Sequence, residues 1–167
     1  ASHCFWKMEK VLLLNGPASV SFDARQERLL IAGNDSLFSY TVKDAALSGV
    51  KYESGYQDMN VGNQSVFDNR NGVLYNFYTD QQFVTAFNEN TRRWTKPYLT
   101  APITNFIQVN KFISYKDSSL YVLGGYGHHV YRNSIHRYHF NTGEWEENIK
   151  TDGDFFMPRY LAALGAN

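Results

Sequence analysis

"LYVLGGYGHHVYRNSIHRYHFNTGEWEEN", residues 120–148, joins an apolar run, a double glycine, four histidines and a lone tryptophan. Two readings compete. The histidines point to a metal or catalytic site. The spacing of the other residues points to a scaffold unit. Asn141-Thr142-Gly143 is a tight hairpin signal between two strand-like runs. With the segment just upstream, four short strands are expected near Phe112–Tyr115, Leu120–Leu123, Ser134–Phe140 and Glu144–Asn148.

The pattern recurs upstream. "YHFNTGEW" (138–145), "FNENTRRW" (87–94) and "YTVKDAAL" (40–47) each place a bulky apolar residue seven positions after an aromatic one. The aromatics are 47 and 51 residues apart. A second set, "SFDARQERLLIAG" from Ser21, "VFDNRNGVLYNFY" from Val66 and "SYKDSSLYVLGG" from Ser114, reads as strand, polar turn, strand. Asp23, Asp68 and Asp117 fall at these turns, where a carboxylate accepts backbone N–H bonds. Their recurrence, with that of Arg25 and Arg70, argues for a structural role. Leu47 to Val73 and Trp94 to Leu120 are both steps of 26. Two agreeing spacings define a repeat of about 50 residues, the size of a four-stranded propeller blade. No ten-residue stretch carries helical periodicity, so the fold class is all-β.

Composition excludes some functions. Lysine plus arginine balance aspartate plus glutamate at 16 each, so no basic field exists to attract nucleic acid. No apolar run is long enough to span a membrane. Aromatic residues reach 16%, which suits pleated, half-buried surfaces. The single Cys4 excludes an internal disulfide and leaves the compartment unknown.

The last repeat resembles the kelch motif, and through it the galactose-oxidase-like propeller superfamily. Gly124-Gly125 closes the second strand, Tyr138 ends the third and Trp145 lies in the fourth. The middle copy keeps Phe87 and Trp94 but has Asn76-Phe77 where the glycine pair is expected. The first copy has Tyr40, a single Gly33, and Leu47 in place of tryptophan. Met157-Pro158-Arg159 and Ala162-Ala163 look like the opening of a further unit. The resemblance implies a partial propeller of about three blades. The expected divisions are 1–14, the outer strand of a preceding blade; 15–58, 59–101 and 102–150, three blades; and 151–167, the first strand of a following one. Trp6, 23 residues before Leu29, supports the first of these, with its strand over His3–Met8.

A closed propeller needs about four to eight blades. Three leave apolar faces at both ends, so the expected partners are the remaining blades of a parent chain or a second copy. The chain begins Ala-Ser-His, and the fragment is the preferred reading.

His136 and His139, three apart in a strand, point to opposite faces and cannot share a metal. His128 and His129 are adjacent in a loop, with no neighbouring ligand set of the zinc kind. An oxidase-type copper site would need a Tyr–Cys crosslink, and Cys4 lies in the terminal remnant. No Gly-x-Ser-x-Gly elbow occurs, and Gly124–Gly127 lacks the lysine and helix of a phosphate loop. Neither cofactor nor metal is expected.

The loops joining strand 2 to 3 and strand 4 to the next blade carry the unrepeated residues. The expected ligand-binding face holds Tyr126, His128, His129, Tyr131 and Arg132, with Tyr56, Asp58, Tyr98 and Arg159 from inter-blade segments. The expected function is non-catalytic recognition or scaffolding, with a protein or carbohydrate ligand. The alternatives are part of a propeller enzyme, sugar-acting or oxidase-type, and a ligand-sensing domain of a larger receptor or regulator.

Overall fold

The computed structural model describes residues 8, 10–57, 59, 63–78, 82–96, 106–107, 110–127, 129–131, 133–147 and 149. Three four-stranded antiparallel sheets follow one another along the chain. Blade 1 is β1 (Ser19–Asp23), β2 (Arg28–Ala32), β3 (Ser36–Thr41) and β4 (Ala46–Lys51). Blade 2 is β5 (Asn63–Asp68), β6 (Val73–Tyr78), β7 (Phe83–Asn88) and β8 (Arg93–Trp94). Blade 3 is β10 (Asn110–Ser114), β11 (Ser119–Leu123), β14 (Ile135–His139) and β15 (Glu144–Glu146). A small sheet, β9 (Phe106–Ile107), β12 (Tyr126–Gly127) and β13 (Val130–Tyr131), sits beside blade 3. The strands expected at His3–Met8 and Tyr160–Leu164 fall largely or wholly outside the described residues.

One cross-strand row makes the blades equivalent. It reads Phe22, Leu29, Tyr40, Leu47 in blade 1 and Phe67, Leu74, Phe87, Trp94 in blade 2. In blade 3 it reads Ile113, Leu120, Tyr138, Trp145. Alternation along a strand puts all four members on one face. In blades 2 and 3 that face packs on the preceding blade. Leu30, Ala32 and Leu37 of blade 1 form one cluster with Phe67, Leu74, Phe87 and Trp94. Phe77 and Val84 of blade 2 form another with Leu120 and Val122, against which Tyr138 and Trp145 pack. Tyr138 and Trp145 sit 5.2 Å apart and both meet Phe77 edge-on, at 5.7 and 6.3 Å. Rigid rings thus fill the space between sheets.

The register corrects two alignments made from sequence. Asp23 and Asp68 close their first strands, but the residue at that position in blade 3 is Ser114. Asp117 lies three residues on, inside the turn. The position of Gly124 corresponds to Gly33 and Tyr78, so Asn76-Phe77 is not the counterpart of the glycine pair. Aromatic and apolar letters mark the strands well. Polar turns slide by a few residues because several polar types fit them.

The inner strands of blades 1 and 2 are bonded through side chains. Ser21 Oγ donates to the Ser65 carbonyl at 3.1 Å, and Ser65 N–H donates to Ser19 Oγ at 2.9 Å. Asn69, in the first turn of blade 2, reaches both neighbours. Its Oδ1 accepts from Ala24 N–H at 2.6 Å, its Nδ2 donates to the Phe22 carbonyl at 3.2 Å, and its own N–H donates to the Tyr115 hydroxyl at 3.0 Å. The Arg70 guanidinium stands 4.9 Å from the centre of the same tyrosine ring.

Candidate functional site

The two ends of each blade are built differently. At one end lie the turns joining strands 1 to 2 and 3 to 4. Each has four residues and closes on one with positive φ: Glu27, Gly72 and Ser118 in the first set, Ala45, Arg92 and Gly143 in the second. Asp23 Oδ1 accepts from the N–H groups of Arg25 and Gln26, and Asp68 Oδ1 accepts from those of Arg70 and Asn71. Arg28 couples Asp23, at 2.8 Å, to Glu89 of blade 2, at 2.7 Å. This end is repetitive and internally satisfied.

The loops between strands 2 and 3 differ between blades 1 and 3. In blade 1 the loop is short, with two residues enclosed by the bond from Gly33 N–H to the Ser36 carbonyl at 2.9 Å. The following inter-blade segment is stitched to it. Tyr52 N–H donates to the Asp35 carbonyl, Gln57 N–H to the Asn34 carbonyl, and Met59 N–H to Asn34 Oδ1. The buried Tyr52 hydroxyl donates to the Gly33 carbonyl at 3.0 Å. Beside this loop opens a cleft of about 380 Å³, with Leu13, Asn15, Asn34, Asp35, Phe38, Lys51 and Tyr56 on its walls. Two rings, a carboxylate, an ammonium and amides converge there. Asp35 Oδ1 is held by the Ser36 hydroxyl at 2.9 Å.

In blade 3 the loop is a second hairpin. Gly124 N–H bonds the Ser134 carbonyl at 2.9 Å, and the residues between fold back on themselves. Gly124 (φ 70°) and Gly125 (φ 135°) take backbone shapes that side chains resist, which is why glycine stands there. Tyr126 then pairs with Tyr131 across β12 and β13, their ring centres 4.9 Å apart. On its other edge β12 pairs with β9.

The residues expected on the binding face are therefore distributed as follows. Tyr126 and Tyr131 form the hairpin's aromatic pair, and Tyr131 is exposed. His129 occupies the hairpin turn at positive φ, also exposed. Tyr56 lines the cleft in blade 1. His128, Arg132, Asp58, Tyr98 and Arg159 lie outside the described residues. Asn34, Asp35 and Lys51 line the same cleft as Tyr56 and are not singled out by the sequence, because the run Gly33-Asn34-Asp35-Ser36 reads simply as a turn and only the three-dimensional approach of Lys51 and Tyr56 forms the cleft.

A polar row crosses the far face of blade 3. Arg137 pairs with Glu146, donates to the Tyr121 hydroxyl at 3.2 Å and lies 3.6 Å from Asp117. Arg137's hydrogen bonds hold Glu146 below the ordinary carboxylate range. Burial pushes Asp117 upward, but hydrogen bonds from Ser114 and Tyr121 outweigh it and its pKa ends lowered. Ser119 Oγ lies 3.3 Å from His139 Nδ1, and His139 Nε2 lies 3.4 Å from Glu146 Oε2. The order matches a nucleophile, base and carboxylate. Ser119 is fully buried, however, and its hydroxyl also donates to the Asp117 carbonyl. The row links β11, β14 and β15 across the sheet. His136 faces the opposite side, level with Val122. Among the described residues no cluster of histidine, cysteine or carboxylate has metal-binding geometry.

Residues 115–147 match the kelch motif, which covers most of blade 3. No curated protein matches the sequence closely enough to count as a relative. Among solved structures, the chain is similar to hydrazine synthase of Kuenenia stuttgartiensis, with TM-score 0.52 and 14% identity over 89% of this chain and 40% of that one. It is also similar to a B. thetaiotaomicron extracellular domain, described as that of a one component system, with TM-score 0.50 and 10% identity over 81% of this chain and 17% of that one. The chain thus spans well under half the length of either. At such identity the likeness is one of fold. With the motif and the three sheets, it makes this chain a partial, kelch-like β-propeller.

Proposed function

We propose that this arc is part of a non-catalytic recognition module that binds a protein or carbohydrate ligand through the loops between strands 2 and 3 and the inter-blade segments. One observation carries the reading. The turns at one end have the same length and close on a positive-φ residue in all three blades, whereas the loop end differs between blades 1 and 3 and carries Tyr56, Tyr126 and Tyr131. Tyrosine buries area at low entropic cost and hydrogen-bonds at its tip, which favours it in recognition surfaces. His128, His129, Arg132, Asp58, Tyr98 and Arg159 are assigned to the same face from sequence.

The test is binding of the purified chain to a glycan array and to a displayed peptide library. The variant combines Tyr56→Ala, Tyr126→Ala and Tyr131→Ala. Since an anchoring residue is worth more than about 1 kcal/mol, selected ligands should lose at least about tenfold in affinity. Unchanged affinity for every selected ligand rejects this face.

A further inference from the structure

The sequence holds two Asn-Gly pairs, Asn15-Gly16 and Asn71-Gly72. Such a pair can rearrange without an enzyme. The glycine backbone nitrogen attacks the asparagine Cγ. A C–N bond forms, and Nδ2 leaves as ammonia, taking the proton that the attacking nitrogen gives up. Water then opens the cyclic imide at one of its two carbonyls. The product is an aspartate or, with the backbone rerouted through Cγ, an isoaspartate. Glycine has no Cβ to obstruct the attack. The rate therefore turns on how freely the amide and the attacking nitrogen move.

The fold treats the two pairs in opposite ways. Both asparagines are exposed, so access to water does not separate them. Asn71 is held at the groups that would have to move. Its Nδ2 donates to Asp68 Oδ2 at 2.7 Å, and its N–H donates to Asp68 Oδ1 at 3.3 Å. The attacking Gly72 N–H is itself engaged, donating to the Asp68 carbonyl at 2.7 Å. The Arg25 guanidinium of blade 1 lies over Gly72. Rearrangement there must first break the turn that joins β5 to β6.

Asn15 lies in the segment leading to β1, outside any strand. Among the described residues nothing bonds its side-chain amide or the Gly16 N–H. A hydrogen-bonded turn centred on the pair would need the N–H that Pro17 lacks.

We infer that Asn15 is a site of spontaneous covalent modification in the folded protein and that Asn71 is not. The product alters the cleft of blade 1, because Asn15 is one of its wall residues. Asp35 and Lys51 are the charged residues of those walls and balance each other. A carboxylate at position 15 makes the walls net negative. The charge the cleft offers a ligand then depends on the age of the molecule.

Peptide mass spectrometry tests this on the intact chain. Folded protein is incubated at mildly alkaline pH beside a sample in urea. Both are sampled over time and digested with pepsin in acid, where imide formation is slow. In the folded chain the Asn15 peptide should gain the mass of an amide replaced by a carboxyl, as two products of different retention. It should do so at least about tenfold faster than the Asn71 peptide, since the bonds that hold Asn71 must be given up first. In urea the two rates should converge. An Asn15 that stays intact in the folded chain while converting in urea overturns the proposal. So does an Asn71 that keeps pace with Asn15 in the folded chain.

Discussion

Leu47 stands directly across from Tyr40, in the place that Trp94 holds opposite Phe87 and Trp145 holds opposite Tyr138. The three pairs share one register and differ in what faces them. Trp94 is 4% exposed and touches both Phe87 and Tyr52. Truncating a buried tryptophan costs about 3–5 kcal/mol. Trp94→Ala should therefore lose about that much in urea unfolding, and Leu47→Ala distinctly less, because a smaller, less buried side chain is removed. Equal losses would show that Leu47 contributes as much packing as Trp94.

The second turn of each blade closes on a residue with positive φ, and only in blade 3 is it glycine. A side chain in the left-handed region costs about 1–2 kcal/mol. Ala45→Gly and Arg92→Gly should therefore each stabilise the fold by about 1 kcal/mol. Gly143→Ala should destabilise it by a similar amount. The midpoint of chemical unfolding reports all three. A stability loss on Ala45→Gly would show that the turn is not under strain.

Lys111, on the inner strand of blade 3, has its pKa lowered by burial from 10.5 to about 7. The unfolded chain takes up this proton near 10.5 and the folded chain only near 7. Stability should thus rise with pH across the window between them and be lowest, for this group, below 7. Lys111→Met should stabilise the protein at neutral pH and flatten that rise. Unfolding curves at pH 6, 7.5 and 9 (about these values) bracket the lower part of the window. A slope unchanged by the substitution would exclude Lys111 as its source.

Asn69 binds blade 1 with its side chain and blade 3 with its backbone N–H. Asn69→Ala removes two hydrogen bonds to blade 1 and keeps the one to Tyr115. A loss of about 1–2 kcal/mol is expected. Hydrogen exchange should speed up in β1 before β10. Uniform acceleration in all three blades would argue against this division.

The blade was legible wherever packing dictates residue type. Phe87, Tyr138, Trp94 and Trp145 fill the gaps between sheets, and only large rings do so. Their spacing in sequence therefore located β7, β8, β14 and β15. The strands of the last repeat were placed to within about two residues, the usual ambiguity of strand ends. The polar positions were less legible. Asp117 was set level with Asp23 and Asp68 because any of several residues can satisfy a turn. The hairpin of Tyr126 and Tyr131 read as a loop, since two-residue strands have no measurable period. The cleft around Asp35 and Lys51 depends on residues 16 apart meeting at one end of a sheet, which no local pattern records.

One backbone bond closes two loops of very different length. Gly33 N–H on Ser36 encloses two residues, and Gly124 N–H on Ser134 encloses nine. Strand pairing resumes immediately after each, at Leu37 opposite Ala32 and at Ile135 opposite Leu123. The entropy of closing a loop grows only slowly with its length. The clasp therefore separates the size of an insertion from the integrity of the sheet beneath it. Exchange of the segment between Gly124 and Ser134 is therefore expected to leave the pairing of β11 with β14 in register.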